Sequence, residues 1–336
     1  MENQQALFDF PKLEVKGKIR LIELFGGIGS QAMALRDIGA DFEHYRLVEF
    51  DKHAVKSYNA IHGTSFETMD IRQVKAADLG VVDKDKYTYI MTYSFPCTDL
   101  SVAGKMQGMS KKDWEEGKST RSGLLWEVER ILKEMTASEL PQVLLMENVP
   151  QVHAEANRED FESWLSFLRG KGYMNFWQDL NAKDYGIPQN RDRCFCVSFL
   201  SDAYAEYDFP APKPLDKVMK DFLEPCVDEK YYINSEKAAK LITELESRGE
   251  LAPPHTERRL ICASRTQGES TSPTASKQDT TQEYQTCKRT EAAFVKALGF
   301  LDRGTGKHQS NVVYDKNGLC PAEYAVLWKE PFKIVE

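Results

Sequence analysis

Four short stretches hold residue types that can do covalent or acid–base chemistry. Phe95-Pro96-Cys97-Thr98-Asp99-Leu100-Ser101 puts a thiol just past residues 87–93, an aromatic and β-branched run that predicts a strand stopped by Pro96. Such a thiol is a nucleophile once ionised, its ordinary pKa being about 8.5; a structural cysteine is the plainer alternative. Glu147-Asn148-Val149 ends another apolar run, where the carboxylate can serve as an acid or base or simply cap the next helix. Gln189-Asn190-Arg191-Asp192-Arg193 precedes a third run, and its alternating Arg191 and Arg193 can send one guanidinium inward and the other to a phosphate, with surface ion pairing as the alternative. Phe25-Gly26-Gly27-Ile28-Gly29 is a glycine turn whose bare backbone can approach a ligand at a helix N-terminus. Gly27-x-Gly29-x-x-Ala32 also fits the dinucleotide fingerprint, and Glu49 ends the next predicted strand, where a carboxylate can accept both hydroxyls of a ribose. That constellation suits any adenosine-containing cofactor, nicotinamide dinucleotides included.

The elements that must carry these residues are set by periodicity. Residues 19–24 read as a buried strand, followed after the glycine turn by a helix through Ala34 and Leu35. A strand at 45–49 precedes a helix through Ala54, Val55 and Tyr58. Leu124, Leu125, Val128, Ile131, Leu132 and Met135 keep helical spacing and give one packed face. Residues 143–146 read as a strand, 161–168 as a helix and 194–199 as a strand, on which Cys194 and Cys196 are expected to point to opposite faces and to be dispensable. Strands alternating with helices predict an α/β fold of right-handed βαβ units on a largely parallel sheet, with ligands at the carboxyl ends of the strands. The polar stretch 104–122 is expected to act as a lid. Three prolines in 209–214 predict a stiff linker, and residues 264–290, rich in Ser, Thr and Gln, a long loop. Residues 1–208 are therefore expected to form the catalytic domain and 209–336 a smaller, partly irregular region.

Bulk properties narrow the class. A chain of 336 residues, 41% hydrophobic, can build one large domain and a smaller module. The first residues lack the basic flank and apolar run of a secretory signal, and no apolar stretch is long enough to span a bilayer. Seven scattered cysteines with no Cys-x-x-Cys pair argue against a disulfide framework and a zinc knuckle, so a reducing cytoplasm and no metal are expected. Net charge is −8, yet residues 251–336 hold 12 basic and 10 acidic side chains, which leaves room for a nucleic-acid-facing C-terminal module.

Taken in order, the Phe-x-Gly-x-Gly turn, Phe-Pro-Cys with Ser101 beyond it, Glu-Asn-Val and Gln-x-Arg-x-Arg resemble the sequential motifs of the DNA (cytosine-5) methyltransferases of bacterial and phage restriction-modification type. The resemblance is strong over residues 17–200 and compositional beyond. It implies a Rossmann-like sheet with helices on both faces that binds S-adenosylmethionine, joined to a target-recognition region acting on double-stranded DNA, in a prokaryotic or phage-encoded protein of the cytoplasm. Carried over residue by residue, Phe25, Gly27 and Gly29 would wrap the methionine part of the cofactor, Glu49 the ribose, Asp70 and Ile71 the adenine, and Leu124 another wall. Cys97 would add to carbon 6 of a flipped cytosine, Glu147 hold ring nitrogen 3, and Arg191, with Arg193 beside it, neutralise the carbonyl oxygen.

This chain has Thr98 where the family usually has Gln, a position beside the chemistry rather than in it. The closing Arg-x-Leu-Thr-x-x-Glu-like and Gln-x-Gly-Asn segments of the family are not found, so the chain is expected to work with a second polypeptide or to be inactive alone. Two other classes remain as alternatives: a nicotinamide-dependent oxidoreductase, which leaves three of the four motifs unexplained, and a DNA-binding relic without catalysis.

Overall fold

Lys-Ile-Arg-Leu-Ile-Glu-Leu is too apolar to stay in water and too short for a stable helix, and it forms β1 (Lys18–Leu24), the strand on which the first sheet is built. The structure is a computed structural model that describes residues 15, 17–100, 108–118, 120–200, 207–223 and 236–248, together with short strands at 232–233, 260–263, 297–300, 312–315, 320–321 and 332–335. The described residues belong to two compact units, Met1–Leu180 with Asp192–Ala211, and Asn181–Arg191 with Pro212–Glu336.

In the first unit, β1 is followed by α1 (Ser30–Asp37), β2 (Phe42–Val48), α2 (Lys52–His62), the single turn α3 (Ala76–Leu79) and β3 (Tyr87–Tyr93). Next come α4 (Lys111–Glu115), α5 (Leu125–Glu134), β4 (Val143–Asn148), α6 (Arg158–Gly170), β5 (Tyr173–Asn181) and, after the two-residue β6 (Gln189–Asn190) of the other unit, β7 (Asp192–Leu200). The six-stranded sheet has the order β2-β1-β3-β4-β7-β5. β1 pairs in parallel with β2 and β3, and β3 with β4, whereas β4 meets β7 antiparallel. Consecutive residues of β3, such as Thr88 and Tyr89 or Thr92 and Tyr93, are buried, which requires cover on both faces of the sheet. Leu125, Trp126, Val128, Ile131 and Leu132 of α5 and Phe161, Trp164, Leu165 and Leu168 of α6 supply much of the buried core.

The helix through 124–135 is present, its first turn tightened to a 3-10 turn at Ser122–Leu124. β5 carries no sequence signal because its apolar residues, Phe176 and Trp177 among them, do not alternate with polar ones, and its residues 177–179 are exposed, as an edge strand tolerates. Cys194 and Cys196 are both buried, which corrects the expectation of opposite faces: residues two apart on a strand share a face. Of the expected lid at 104–122, residues 108–118 include α4, while 104–107 and 119 lie outside the described residues, as do Ser101 and the loop at 264–290. Among the described residues, no helix is long and apolar enough to cross a membrane.

In the second unit, α7 (Glu236–Ser247) accompanies a sheet of β8 (Tyr232–Ile233), β9 (Leu260–Ala263), β10 (Ala297–Phe300), β11 (Val312–Asp315) and β13 (Phe332–Val335), in the order β10-β11-β13-β9-β8. β6 pairs in parallel with β12 (Cys320–Pro321). These strands have four residues or fewer, too short for an alternating pattern to be read. The proline-rich stretch is anchored near both its ends: Tyr207 packs on Phe176 and Phe199 in the first unit, and the Lys213 N–H donates to the Asp184 carbonyl at 2.7 Å in the second.

Candidate active site

The pairing register places four strand ends in one row. Val48 stands beside Leu24, Leu24 beside Tyr93, and Tyr93 beside Met146. Glu49, Phe25, Ser94 and Glu147 are the next residues of the four chains, so they emerge together at the carboxyl edge of the parallel strands. The chain leaves β1 for β2 on one side and returns to β3 on the other, and such a switch point opens a crevice where α/β sheets bind ligands.

The glycine turn sits at that crevice. Phe25 holds φ +57°, a left-handed backbone that costs an L residue roughly 1–2 kcal/mol, and its N–H is fixed by a 2.7 Å bond to the Val48 carbonyl. A Cβ at Gly29 would come within 2.4 Å of His62 Nε2 and 2.7 Å of the Tyr58 ring, so only glycine fits there. Gly27 is different: with φ +56°, a Cβ on it would meet nothing within 4 Å, leaving the turn open. Its N–H donates to Glu49 Oε2 at 2.9 Å, and the Asp51 N–H donates to Glu49 Oε1 at 2.8 Å. Each carboxylate oxygen keeps lone-pair capacity for a further donor. Phe50, directly beyond, is 70% exposed, an apolar ring next to that carboxylate.

Cys97 is half-buried on a loop that its neighbours immobilise. Asn148 Nδ2 donates to the Phe95 carbonyl at 3.0 Å, and Ser122 Oγ to the Pro96 carbonyl at 2.6 Å. The buried Asp99 accepts the Arg121 N–H at 2.7 Å, while its own N–H reaches Ser122 Oγ at 3.3 Å. Gln31 Nε2 on α1 donates to Ser94 Oγ at 3.1 Å, so the helix behind the glycine turn is tied to the segment carrying the thiol.

Glu147 receives Arg193 Nε at 2.9 Å across β4 and β7, an ion pair with most of its surface covered. Arg191 belongs to the segment grouped with the second unit, where its N–H donates to Asn181 Oδ1 at 3.2 Å and its carbonyl accepts the Ala182 N–H at 3.0 Å. Asp70 caps a 3-10 turn through the Arg72 N–H at 3.0 Å, and hydrogen bonding from the Arg72 guanidinium holds its carboxyl below the usual carboxylate range. Ile71 is buried in the core and Leu124 is half-buried against it.

A profile for the C-5 cytosine-specific DNA methylases matches residues 19–327, beyond the point where the motifs become faint. The chain belongs to that family. Its similarity to the type II methyltransferase M2.ScrFI of Lactococcus lactis subsp. cremoris is 30% identity over 269 residues, covering 66% of this chain and 72% of that protein. With the type II methyltransferase M.NlaX of Neisseria lactamica it shares 34% identity, covering 64% of this chain and 63% of that one, so it spans less than two thirds of that relative. The orphan methyltransferase M.SssI of Spiroplasma monobiae is 31% identical, with 65% and 68% covered. Among solved structures, a DNA modification methyltransferase encoded within an E. coli prophage superposes with TM-score 0.51 at 18% identity, covering 90% of this chain and 81% of that one. The Entamoeba histolytica methyltransferase EhMeth gives TM-score 0.50 at 20% identity, with 69% and 66% covered. These two agree on the fold.

The structure of the site also rests on residues that the motifs do not single out. Asn148 is one: it lies inside Glu-Asn-Val, but nothing local says that its amide supports Phe95. Ser122, Asp99 and Gln31 likewise act through partners distant in sequence. Glu23 is wholly buried beneath the glycine turn, where burial pushes its carboxyl up to about 7 against hydrogen bonds from the Tyr58 hydroxyl and the Ala32 N–H. Tyr58 in turn lies 2.7 Å from His44 Nδ1, and His62 Nε2 reaches the Ile28 carbonyl at 3.0 Å, so this cluster grips the turn from behind.

Proposed function

We propose that this chain transfers a methyl group from S-adenosylmethionine to carbon 5 of a cytosine flipped out of double-stranded DNA, with Cys97 as the covalent nucleophile. The observation that carries the reading is the single row of strand ends, which brings the open glycine turn, Glu49, the braced Cys97 loop and the Glu147–Arg193 pair to one edge. The open side of Gly27, the two acceptor oxygens of Glu49 and the exposed ring of Phe50 suit the methionine, ribose and adenine of that cofactor. Phe25, Gly27, Gly29 and Glu49 would hold it, with Asp70, Ile71 and Leu124 shaping the adenine side. When bound, S-adenosylmethionine supplies an electrophilic methyl group.

The residues of the chain supply the rest. Carbon 5 of cytosine is a weak nucleophile, and adding the Cys97 thiolate at carbon 6 turns the ring into an enamine whose electrons are directed to carbon 5. As that bond forms, Glu147 gives a proton to ring nitrogen 3, and Arg193 orients the carboxyl through its 2.9 Å contact. Arg191 is assigned to the developing charge on the carbonyl oxygen. Once carbon 5 is methylated, a base removes its proton, the carbon–sulfur bond breaks, Cys97 leaves as thiolate and ring nitrogen 3 returns its proton to Glu147. Carbon 6 is shielded within a stacked duplex, hence the flipping. The second unit is assigned to target recognition, and the cytoplasm, where the DNA lies, is the proposed location.

Duplex DNA carrying 5-fluorocytosine at target sites tests this reading, because fluorine cannot leave as a proton does and the adduct is trapped. With S-adenosylmethionine present, the chain is expected to form a denaturation-resistant complex that Cys97→Ala does not. An adduct that persists in Cys97→Ala refutes the assignment.

A further inference from the structure

Three side chains with no common motif meet in the first unit, and the mechanism above uses none of them. His153 ends the 3-10 turn Pro150–His153 after β4, Asp179 lies near the end of β5, and Cys194 is on β7. One ligand atom from each, an imidazole nitrogen, a carboxylate oxygen and a sulfur, all fall within 4.8 Å of one another. His153 Nε2 stands 3.0 and 2.9 Å from the two oxygens of Asp179. Its ring is held by Trp177, centroid to centroid at 4.6 Å, with Phe161 at 6.1 Å, so the nitrogen is fixed in direction. The Cys194 thiol is buried behind the pair, while the His153 and Asp179 side chains keep 24% and 39% of their surface open to solvent.

The donor set is suited to a cation. The Cys194 side chain is wholly buried, out of reach of a dissolved substrate that it could attack as a nucleophile. The Cys194 thiol also hydrogen-bonds to Asp179, so all three ligand atoms already converge on one carboxylate. A divalent cation that displaces the thiol proton would be neutralised by one carboxylate and one thiolate beside a neutral imidazole, leaving no net charge against the buried Cys194 side of the cluster. Bond lengths of 2.0 to 2.3 Å put tetrahedral ligand atoms roughly 3.3–3.8 Å apart, a separation within reach of small side-chain rotations here. The mixed nitrogen, oxygen and sulfur set suits a borderline-soft metal, and three ligands leave a fourth position for water through the open side.

We propose that His153, Asp179 and Cys194 form a binding site for one borderline-soft divalent cation of the zinc class, separate from the methyl-transfer chemistry. Cobalt(II) is the probe, because a thiolate ligand gives it a near-ultraviolet charge-transfer band that neither water nor carboxylate produces. The full chain, freed of metal by chelator and reduced, is expected to develop that band with one equivalent of cobalt and to lose it when zinc is added. Cys194→Val, which keeps an apolar side chain on the strand, should show no band, and His153→Phe and Asp179→Asn should each weaken cobalt binding at least tenfold. If Cys194→Val fails to fold, the other two variants decide the matter alone. No band in the native chain overturns the proposal. So does a band that survives in all three variants, or one lost only in Cys194→Val while the other two bind normally, since neither describes a three-ligand site.

Discussion

Replacing Glu23 by glutamine tests the energetics beneath the glycine turn. The carboxyl is fully buried, one of its oxygens has no hydrogen-bond partner, and its pKa stands near 7 against 4.5 for an ordinary glutamate. Between those values the folded protein keeps a proton that the unfolded chain has released. The contribution of the neutral carboxyl is therefore fully present below about pH 4.5 and is lost as pH rises through about 7. At about 1.4 kcal/mol per unit, the difference amounts to roughly 3 kcal/mol of stability lost on the alkaline side. Glutamine keeps the volume and an acceptor for Tyr58 but does not titrate. Urea unfolding followed by tryptophan fluorescence reads the first unit, since Trp126 and Trp164 are buried in its core. The variant should match the native chain at pH 4 and exceed it by up to roughly 3 kcal/mol at pH 8.5. His44, whose pKa is lowered by burial and by His62, titrates in both proteins and cancels in the comparison. An equal gap at both pH values, or a native chain that is the more stable at pH 8.5, refutes the reasoning.

Other perturbations give separate readouts. Asn148→Ala removes the 3.0 Å bond to the Phe95 carbonyl and leaves that group unsatisfied, so stability should fall by about 1–3 kcal/mol, with turnover reduced and cofactor affinity unchanged by calorimetry. Glu49→Ala should weaken S-adenosylmethionine binding by roughly 1.5–3 kcal/mol, while Glu147→Gln should spare binding and cut turnover; calorimetry and methyl-transfer rates giving the reverse pattern would exclude both roles. Arg193→Met removes the 2.9 Å contact to Glu147, and its turnover should fall in single-turnover assays without loss of cofactor affinity. Gly29→Ala, whose Cβ would lie 2.4 Å from His62, should lower the melting temperature and weaken cofactor binding together, whereas unchanged melting would mean that the turn relaxes freely.

Much of the first unit was legible in the chain because local periodicity encodes it. The run at 87–93 is β3 residue for residue, and the apolar spacing from Leu124 to Met135 could hardly serve anything but a buried helix face. The order of the motifs also determined the family, since each falls at a strand end and together they leave few other chemistries. β5 was hidden, as its adjacent Phe176 and Trp177 break any period of two, and so were the short strands of the second unit. Only the tertiary structure decided who meets whom. Parallel pairing through crossovers puts Val48, Leu24, Tyr93 and Met146 in one row. The antiparallel return of β7 brings Arg193 to Glu147, although the sequence offered that guanidinium two destinations. Asn148 under Phe95, Glu23 under Tyr58, and His153 beside Asp179 are joined over 26 to 53 positions by connections whose length says nothing about register. A side chain's type limits which bonds it can make, and those limits are written in the sequence; its partner is chosen by strand pairing and burial, which exist only once the whole sheet has closed.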